Sequence, residues 1–366
     1  MKILITGGHL APALAIIEEL KNDKPKVEII FVGRKYALDS EKTTSLEYKE
    51  INKRGIRFIP LQAGRLTRIM SLRTMRSLLR IPLGFVNSFF IITDQRPNII
   101  LSFGGYLALP LVFWGYVFGI PIYTHEQTIK AGLANKLIGL FSKKVFVAFS
   151  ESKKDFDLRK TVITGNPVRQ SIYETNKKPF EINKDRPVIY ITGGTLGSHS
   201  INDHIKKIIP ELLSKYIVIH QTGETKEYHD YEDLLAIKNN LPANLASRYF
   251  LAKHFFEDEI GYIYSLADLV VGRSGANTFF ELINLKIPAV FVPLPWASGK
   301  EQQFHAEVFA KNGTGEIFHQ IEPSEKLLRI IDKMISNIDG YKANFQSLSH
   351  LYKKNASQFI IKEIFS

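Results

Sequence analysis

Asp268-Leu-Val-Val-Gly-Arg-Ser-Gly-Ala-Asn-Thr-Phe-Phe-Glu-Leu282 decides how the chain is read. Leu269 to Val271 is apolar and β-branched enough for a buried strand, Gly272 to Gly275 breaks it, and a helix opens at Ala276. The helix start presents unpaired N–H groups at the positive end of the macrodipole, which suits an anion. Glu281, within the first two turns, would repel that anion, but a carboxylate can grip neutral hydroxyls. The stretch therefore expects a ligand with both phosphate and sugar.

The same rhythm continues on both sides. Downstream, Pro288 to Pro293 reads as a strand, and Pro295-Trp-Ala-Ser-Gly-Lys-Glu-Gln-Gln303 leads into a helix. Upstream, Val188 to Thr192 is a strand, Gly193-Gly194-Thr195-Leu196-Gly197 a glycine loop and Ser200 to Leu213 a helix. Tyr216 to His220 follows as a strand ending in Gln221-Thr222-Gly223, then Phe250 to Phe256, then a helix over Glu259 to Leu266. The loop after Val188–Thr192 has the composition of a phosphate cradle, with Thr195 adding a hydroxyl. It is not G-x-G-x-x-G, and no acid follows the next strand as an NAD-binding sheet would need.

The polar run Glu174 to Pro187, after the Gly165-Asn-Pro-Val-Arg169 turn, reads as a domain boundary. Before it the pattern is the same: Lys2 to Thr6 a strand, Gly7-Gly8-His9 a turn, Pro12 to Leu20 a helix and Val27 to Val32 a second strand. Ile99 to Phe103 and Pro121 to His125 are further strands, the first followed by Gly104-Gly105-Tyr106. His125-Glu126-Gln127 falls at the C-terminal end of a parallel strand, where α/β sheets place ligands. This His-Glu pair suits a base or a diphosphate contact, and equally a capping role. Asp155-Phe-Asp157 resembles a metal-binding D-x-D, but its basic neighbours and the lack of a leading strand make it a charged turn or helix start.

Composition bounds the rest. A chain of 366 residues, 45% apolar, is long enough for two ordinary domains. The absence of cysteine excludes disulfides, Cys-based zinc sites and thiolate catalysis. Met1-Lys-Ile-Leu-Ile-Thr-Gly-Gly8 runs straight into a strand and turn, so a cytoplasmic protein without a signal peptide is expected. Pro97 to Thr124 carries no charge, but Gly104-Gly105, Pro110, Gly119 and Pro121 divide it. Its longest piece, Pro110 to Phe118, gives a helix of about 14 Å against the roughly 30 Å a bilayer needs.

The net charge of +12 is unevenly spread. Ile51 to Thr93 contains no acid, while Lys53, Arg54, Arg57, Arg65, Arg68, Arg73, Arg76 and Arg80 are all basic. Leu66, Ile69, Met70, Leu72, Met75, Leu78 and Leu79 lie between the arginines, and Ile81, Leu83, Phe85, Phe89 and Phe90 extend the apolar content. A basic amphipathic helix of this kind fits an anionic bilayer surface, with Arg73, Arg76, Leu79, Arg80 and Phe85 as contact residues. Nucleic acid is not expected, because aromatic rings do not alternate with the arginines as a stacking platform needs.

Taken together, these motifs resemble the MurG-type glycosyltransferases. The matching elements are His9-Leu-Ala-Pro-Ala-Leu-Ala15, Ser102-Phe-Gly-Gly-Tyr106, His125-Glu-Gln127 with Ala131-Gly-Leu-Ala-Asn135, and Gly165-Asn-Pro-Val-Arg169. They continue with Gly193-Gly-Thr-Leu-Gly197 and Asn202, Gln221-Thr-Gly223, Arg273-Ser-Gly-Ala276 with Glu281, Pro293-Leu-Pro295 and Gln302. They run in family order from end to end. The resemblance implies a GT-B fold of two Rossmann-like open parallel-sheet domains facing a central cleft: 1–164 for the acceptor and membrane, 165–345 for the UDP-sugar, and 346–366 as a helix packing back on the first domain.

The implied reaction is inverting transfer of GlcNAc from UDP-GlcNAc to the C4 hydroxyl of undecaprenyl-diphosphate-linked N-acetylmuramoyl-pentapeptide. It would take place at the cytoplasmic face of the membrane, without cofactor or obligatory metal. By the family pattern Glu281 holds the ribose hydroxyls, Arg169 lies near the uracil, Thr195 with Gly194 and Gly197 takes the diphosphate, and Gln302 touches the sugar. Asn202, Arg273, Ser274, Gly275, Ala276, Asn277, Thr278 and Gln303 complete the expected donor set. Gly7, Gly8, Gly104, Gly105, Tyr106 and Asn135 form the acceptor set, and His9, His125 and Glu126 the catalytic group, with the base either His9 or Glu126. The chain departs from the pattern in a shorter first glycine loop, in Thr128 and His305 where the family has Asn, in Thr195 for Ser, and in Leu196 for Gln. A diacylglycerol acceptor, or a UDP-sugar-binding homologue with impaired catalysis, are the competing readings.

Overall fold

The computed structural model describes residues 1–36, 44–61, 72–223, 225, 227–296 and 300–366, with residues 46 and 72–80 described by their backbone alone. The chain divides into two compact units, one made of Met1–Arg169 and Lys353–Ser366, the other of Gln170–Tyr352. The Gly165 to Arg169 turn thus belongs to the first unit, as do the residues after Tyr352.

The first unit begins with β1 (Lys2–Gly7), α1 (Leu10–Asp23), β2 (Glu28–Gly33), α2 (Leu46–Lys53), β3 (Arg57–Pro60) and α3 (Leu72–Gln95). It continues through β4 (Ile99–Phe103), α4 (Ala108–Val117), β5 (Ile122–Glu126), α5 (Leu133–Phe141), β6 (Lys144–Val147) and β7 (Thr161–Ile163). All seven strands are parallel, in the order β3-β2-β1-β4-β5-β6-β7. Strand side chains alternate between faces, and both faces are covered, which is why Ile3, Leu4 and Ile5 of β1 are apolar in succession. Ile3 and Ile5 join Ile16, Ile17 and Leu20 of α1 on one face. Leu4 joins Leu111 and Val112 of α4 and Ile138 of α5 on the other.

The second unit runs β8 (Val188–Thr192), α6 (His199–Lys215), β9 (Ile217–Gln221), α7 (Asp230–Asn240), α8 (Ala243–Ala246), β10 (Tyr249–Ala252), α9 (Glu257–Leu266) and β11 (Leu269–Gly272). Then come α10 (Ala276–Leu285), β12 (Ala289–Phe291), α11 (Glu301–Lys311), β13 (Gly315–Ile317), α12 (Ser324–Ser336) and α13 (Ile338–Ala343). Its parallel sheet has the order β10-β9-β8-β11-β12-β13. The helix expected at Ala276 begins there, with Gly275 as its N-cap residue.

The helix expected over 346–366 fills only part of that span. α13 ends at Ala343, a 3-10 turn covers Asn344–Leu348, and α14 (Ala356–Phe365) starts only after the polar Lys353-Lys354-Asn355. Ile360, Ile361 and Ile364 of α14 are buried in the first unit's core, each worth about 1.5–3 kcal/mol. The Tyr123 hydroxyl donates to the Ile364 carbonyl at 3.2 Å, and Lys144 pairs with Glu363 at 2.7 Å. Among the described residues no helix is long and apolar enough to cross a membrane.

In each sheet the strand order reverses direction beside the first strand, between β1 and β4 and between β8 and β11. At such switch points neighbouring loops run to opposite sides and leave a crevice at the carboxyl ends of the strands. Gly7 to His9 and Gly104-Gly105 flank the first. Gly193 to Gly197 and Arg273 to Gly275 flank the second.

Candidate active site

At the second switch point the glycine loop is shaped by backbone constraints. Gly194 and Gly197 both have φ of +84°, which L side chains rarely adopt. A Cβ at Gly197 would stand 2.0 Å from the Thr222 carbonyl oxygen, so the loop lies directly on the Gln221-Thr222-Gly223 turn. Gln221 reinforces the contact by donating to the Gly194 carbonyl at 3.1 Å. Thr195 and Leu196 form the outer part of the loop, with Leu196 72% exposed.

Asn202 lies beneath this cradle. Its amide donates to the Thr222 carbonyl at 3.0 Å and to Asp230 at 2.8 Å, and its oxygen meets His220 Nε2 at 3.0 Å. Asp230 also takes His199 Nδ1 at 2.8 Å. Asn202 therefore ties α6 and α7 together under the loop. His220 is fully buried, and burial draws its pKa down to about 3; it stays neutral.

Arg273 stands beside the cradle. One guanidinium nitrogen donates to the Val292 carbonyl at 2.8 Å, and the other to Ser198 Oγ at 2.7 Å, Ser200 Oγ at 2.9 Å and Gln320 Oε1 at 3.1 Å. Every one of these acceptors is neutral. Burial lowers the Arg273 pKa to about 10, which still leaves it charged at neutral pH. A desolvated cation among dipoles is a costly arrangement unless an anion arrives. Ser198, Ser200 and Gln320 carry no sequence signal of their own, although Ser198 directly follows Gly197 and Ser200 opens the helix expected after it.

The start of α10 is fixed from behind. Ser274 is fully buried and donates to the Gln302 carbonyl at 2.7 Å, while His305 Nδ1 donates to the Ser274 carbonyl at 2.9 Å. Burial takes His305 down to about 4. No side chain caps the helix and its first turn has no acid, so the N–H groups of Ala276, Asn277 and Thr278 have no cap or acid from α10 itself. A Cβ on Gly275 would meet open space. Gln302 Oε1 accepts from the Leu294 N–H at 3.0 Å, and Gln303 bonds Glu307 on its own helix at 3.0 Å. Ala297, Ser298 and Gly299 lie outside the described residues. Glu281 is 4% exposed, and its Oε2 accepts a hydrogen bond from the Tyr264 hydroxyl at 2.8 Å.

At the first switch point, Gly8 lies against Gly104 and Gly105. A Cβ on Gly8 would stand 3.1 Å from the Gly104 carbonyl oxygen, and one on Gly104 would stand 3.1 Å from the Asn135 amide nitrogen. Gly7, one residue earlier, closes β1. His9, Glu126 and His125 gather here closely enough to influence one another electrostatically. His9 Nδ1 lies 3.0 Å from the Phe103 carbonyl. Burial lowers its pKa, opposed by the Glu126 charge and the Phe103 bond.

The two other members of the group are committed. Glu126 Oε1 accepts from the Thr128 N–H at 2.9 Å and hydroxyl at 2.7 Å, and Oε2 accepts from Asn135 at 2.8 Å. Thr128, one of the departures from the MurG-type pattern, thus binds Glu126 twice. His125 Nε2 donates to the Gly165 carbonyl at 3.1 Å, and burial takes His125 down to about 4. Tyr106 packs partly against the core on the α4 side of the sheet. Arg169, half-buried, is the last residue of the first unit's main segment. Asp155 is taken up by Lys136 at 2.7 Å and the Ala131 N–H at 2.8 Å, and Asp157 by Arg159 at 2.9 Å. The D-x-D is therefore a braced turn.

The basic segment is helical from Leu72 onward, and Arg65, Arg68, Ile69 and Met70 lie outside the described residues. The side chains of Arg73, Arg76, Leu79 and Arg80 do too. Phe85 turns inward, its ring 5.5 Å from that of Phe113, and its carbonyl takes the Trp114 indole N–H at 2.8 Å. The apolar residues left exposed on α3 are Leu83, Val86 and Phe90, beside exposed Tyr116, Val117 and Phe118 at the end of α4. Spacing of three and four residues along the helix carries that stripe, two positions off the one Phe85 would mark.

Comparison with known proteins gives a consistent set of relatives. The model of the glycosyltransferase family 28 N-terminal domain matches residues 6–147, and that of the C-terminal domain matches residues 188–363. The chain is 30% identical to a Bacillus cereus UDP-N-acetylglucosamine–N-acetylmuramyl-(pentapeptide) pyrophosphoryl-undecaprenol N-acetylglucosamine transferase 2, over 99% of both chains. It is 32% identical to the Clostridium botulinum transferase of the same name, over 94% of this chain and 93% of the other. Among solved structures, Acinetobacter baumannii MurG superposes with a TM-score of 0.71 at 22% identity, covering 99% of this chain and 98% of that one. UDP-GlcNAc 2-epimerase from Neisseria meningitidis, bound to UDP-GlcNAc, gives 0.64 at 14% identity over the full length of both. At these identities the superpositions show the shared two-domain α/β fold.

Proposed function

The chain belongs to glycosyltransferase family 28, and we propose that it transfers GlcNAc from UDP-GlcNAc to the C4 hydroxyl of undecaprenyl-diphosphate-linked N-acetylmuramoyl-pentapeptide, with inversion at the sugar carbon. The observation that carries this reading is Arg273, a half-buried guanidinium whose hydrogen-bond acceptors among the described residues are all neutral, next to a helix start without a side-chain cap. Two positive features side by side suit a diphosphate. Glu281, one turn and a half further along the same helix, suits the ribose hydroxyls.

In this reading the acceptor oxygen forms a bond to C1 of GlcNAc while the bond from C1 to the β-phosphate oxygen breaks, and UDP leaves with the electron pair. Arg273 and the N–H groups of Ala276, Asn277 and Thr278 stabilise the charge that develops on it. The backbone of Gly194 to Gly197 and the Thr195 hydroxyl cradle the diphosphate, and the Gln302 amide nitrogen donates to the sugar. Arg169 is assigned to the uracil and Gln303 to the outer part of the sugar pocket. Gly7, Gly8, Gly104, Gly105, Tyr106 and Asn135 receive the acceptor. His9 takes the proton from the C4 hydroxyl, because Glu126 is already engaged at both oxygens and His125 is spent on Gly165. Glu126 sets the field that keeps His9 basic. The positive charge the leaving group needs comes from Arg273, so no metal is assigned.

We assign the lipid side of the acceptor to the exposed Leu83, Val86 and Phe90 stripe with the basic residues of the same helix, at the inner membrane surface. The test is incubation of the purified chain with labelled UDP-GlcNAc and a soluble muramoyl-diphosphate-lipid analogue, with and without EDTA. A labelled disaccharide, formed equally in both, is expected. Transfer to diacylglycerol alone, or donor binding without any product, overturns the proposal, and activity lost to EDTA and restored by Mg²⁺ overturns its metal-free form.

A further inference from the structure

We propose that Tyr264 is a positioning residue for the donor, its buried hydroxyl fixing the carboxylate of Glu281 in the orientation that meets the ribose hydroxyls of the nucleotide. The inference rests on the reading of Glu281 as the ribose grip and names what makes that grip selective.

Glutamate has three side-chain torsions, and a carboxylate meant to accept from two neighbouring hydroxyls must present its plane to both at once. Glu281 comes from α10 and is oriented by a side chain of a different helix, because Tyr264 lies on α9. The Tyr264 ring is 5% exposed and packs edge-on against Tyr190, with centroids 5.7 Å apart at 84°. Its phenol has a single hydrogen, and the 2.8 Å contact spends it on Glu281 Oε2. A rigid ring behind a flexible acid determines which way the rest of the carboxylate faces. Acting on the donor through Glu281, Tyr264 should contribute discrimination between ligands with and without the hydroxyl.

Replacing Tyr264 by Phe keeps the ring and its packing and removes only the donor, which isolates the effect. The experiment is titration of the full chain with UDP and with 2′-deoxy-UDP, for the wild type, Tyr264→Phe, Glu281→Gln and the double variant, with melting curves to check folding. The wild type is expected to prefer UDP by roughly tenfold or more, the scale of a hydrogen bond to a charged group. Tyr264→Phe should reduce that preference to under about threefold by weakening UDP, with 2′-deoxy-UDP nearly unchanged, and the double variant should discriminate no less than Glu281→Gln alone. Equal weakening of both ligands in Tyr264→Phe would mean the hydroxyl acts only on packing, and overturns the inference while leaving Glu281 in place. A wild type that binds the two ligands equally removes the ribose reading and the inference together. Neither result bears on whether transfer occurs, which the disaccharide assay reads separately.

Discussion

The Phe103 carbonyl can only accept, so the 3.0 Å contact with His9 places the ring hydrogen on Nδ1 and the lone pair on Nε2. A base must be unprotonated to work, and burial lowers the His9 pKa from its ordinary 6.5. His9 is therefore neutral at pH 7 and becomes protonated, and inactive, only as the pH falls through that lowered value. The acid limb of kcat/KM is expected to have its midpoint below 6.5. His9→Gln should lose the limb and about 10²–10⁴ in kcat. An unchanged acid limb in that variant would return the role of base to another group. Arg273 and Glu281 were legible in sequence, since both lie within one strand, loop and helix. Tyr264 was not, because it meets Glu281 from a separate helix 17 residues earlier in the chain and carries no local spacing signal.

At the scale of elements, α3 shows where sequence reading reaches and where it stops. The acid-free basic run and its helical apolar spacing were visible, and the helix is there from Leu72 to Gln95. Which apolar side chains face out depends on α4: Phe113 and Trp114 take up Phe85 and Phe89, leaving Leu83, Val86 and Phe90 exposed. Periodicity alone does not reveal that partner. α2 and β3 were passed over for a related reason, since Arg57-Phe-Ile-Pro60 is a short edge strand within the basic stretch. If the exposed stripe meets lipid, Leu83→Ser with Phe90→Ser should lower co-sedimentation with anionic vesicles by at least about tenfold, each buried side chain being worth about 1.5–3 kcal/mol. The melting temperature should scarcely change, because both side chains are exposed. Undiminished vesicle binding would move the membrane contact elsewhere.

For the whole molecule, the sequence showed two open parallel sheets because each repeats a strand, a glycine turn and a helix, and hydrophobic runs at buried strands are hard to mistake. What the pattern of residues did not show is the division after Arg169, and the return of the last helix to the first unit was implied by the family resemblance alone, since both depend on which core has room for Ile360, Ile361 and Ile364. The donor features of one unit and the His9 group of the other each lie at a switch point, and the proposed reaction calls on both. That reaction fixes the stereochemistry of the product. The direct test is NMR of the purified disaccharide lipid made from UDP-GlcNAc, whose sugar is α-linked to the phosphate. A β-linked GlcNAc on O4 of the muramoyl residue is the result this account predicts, and an α-linkage, or a linkage to any other oxygen, would contradict it.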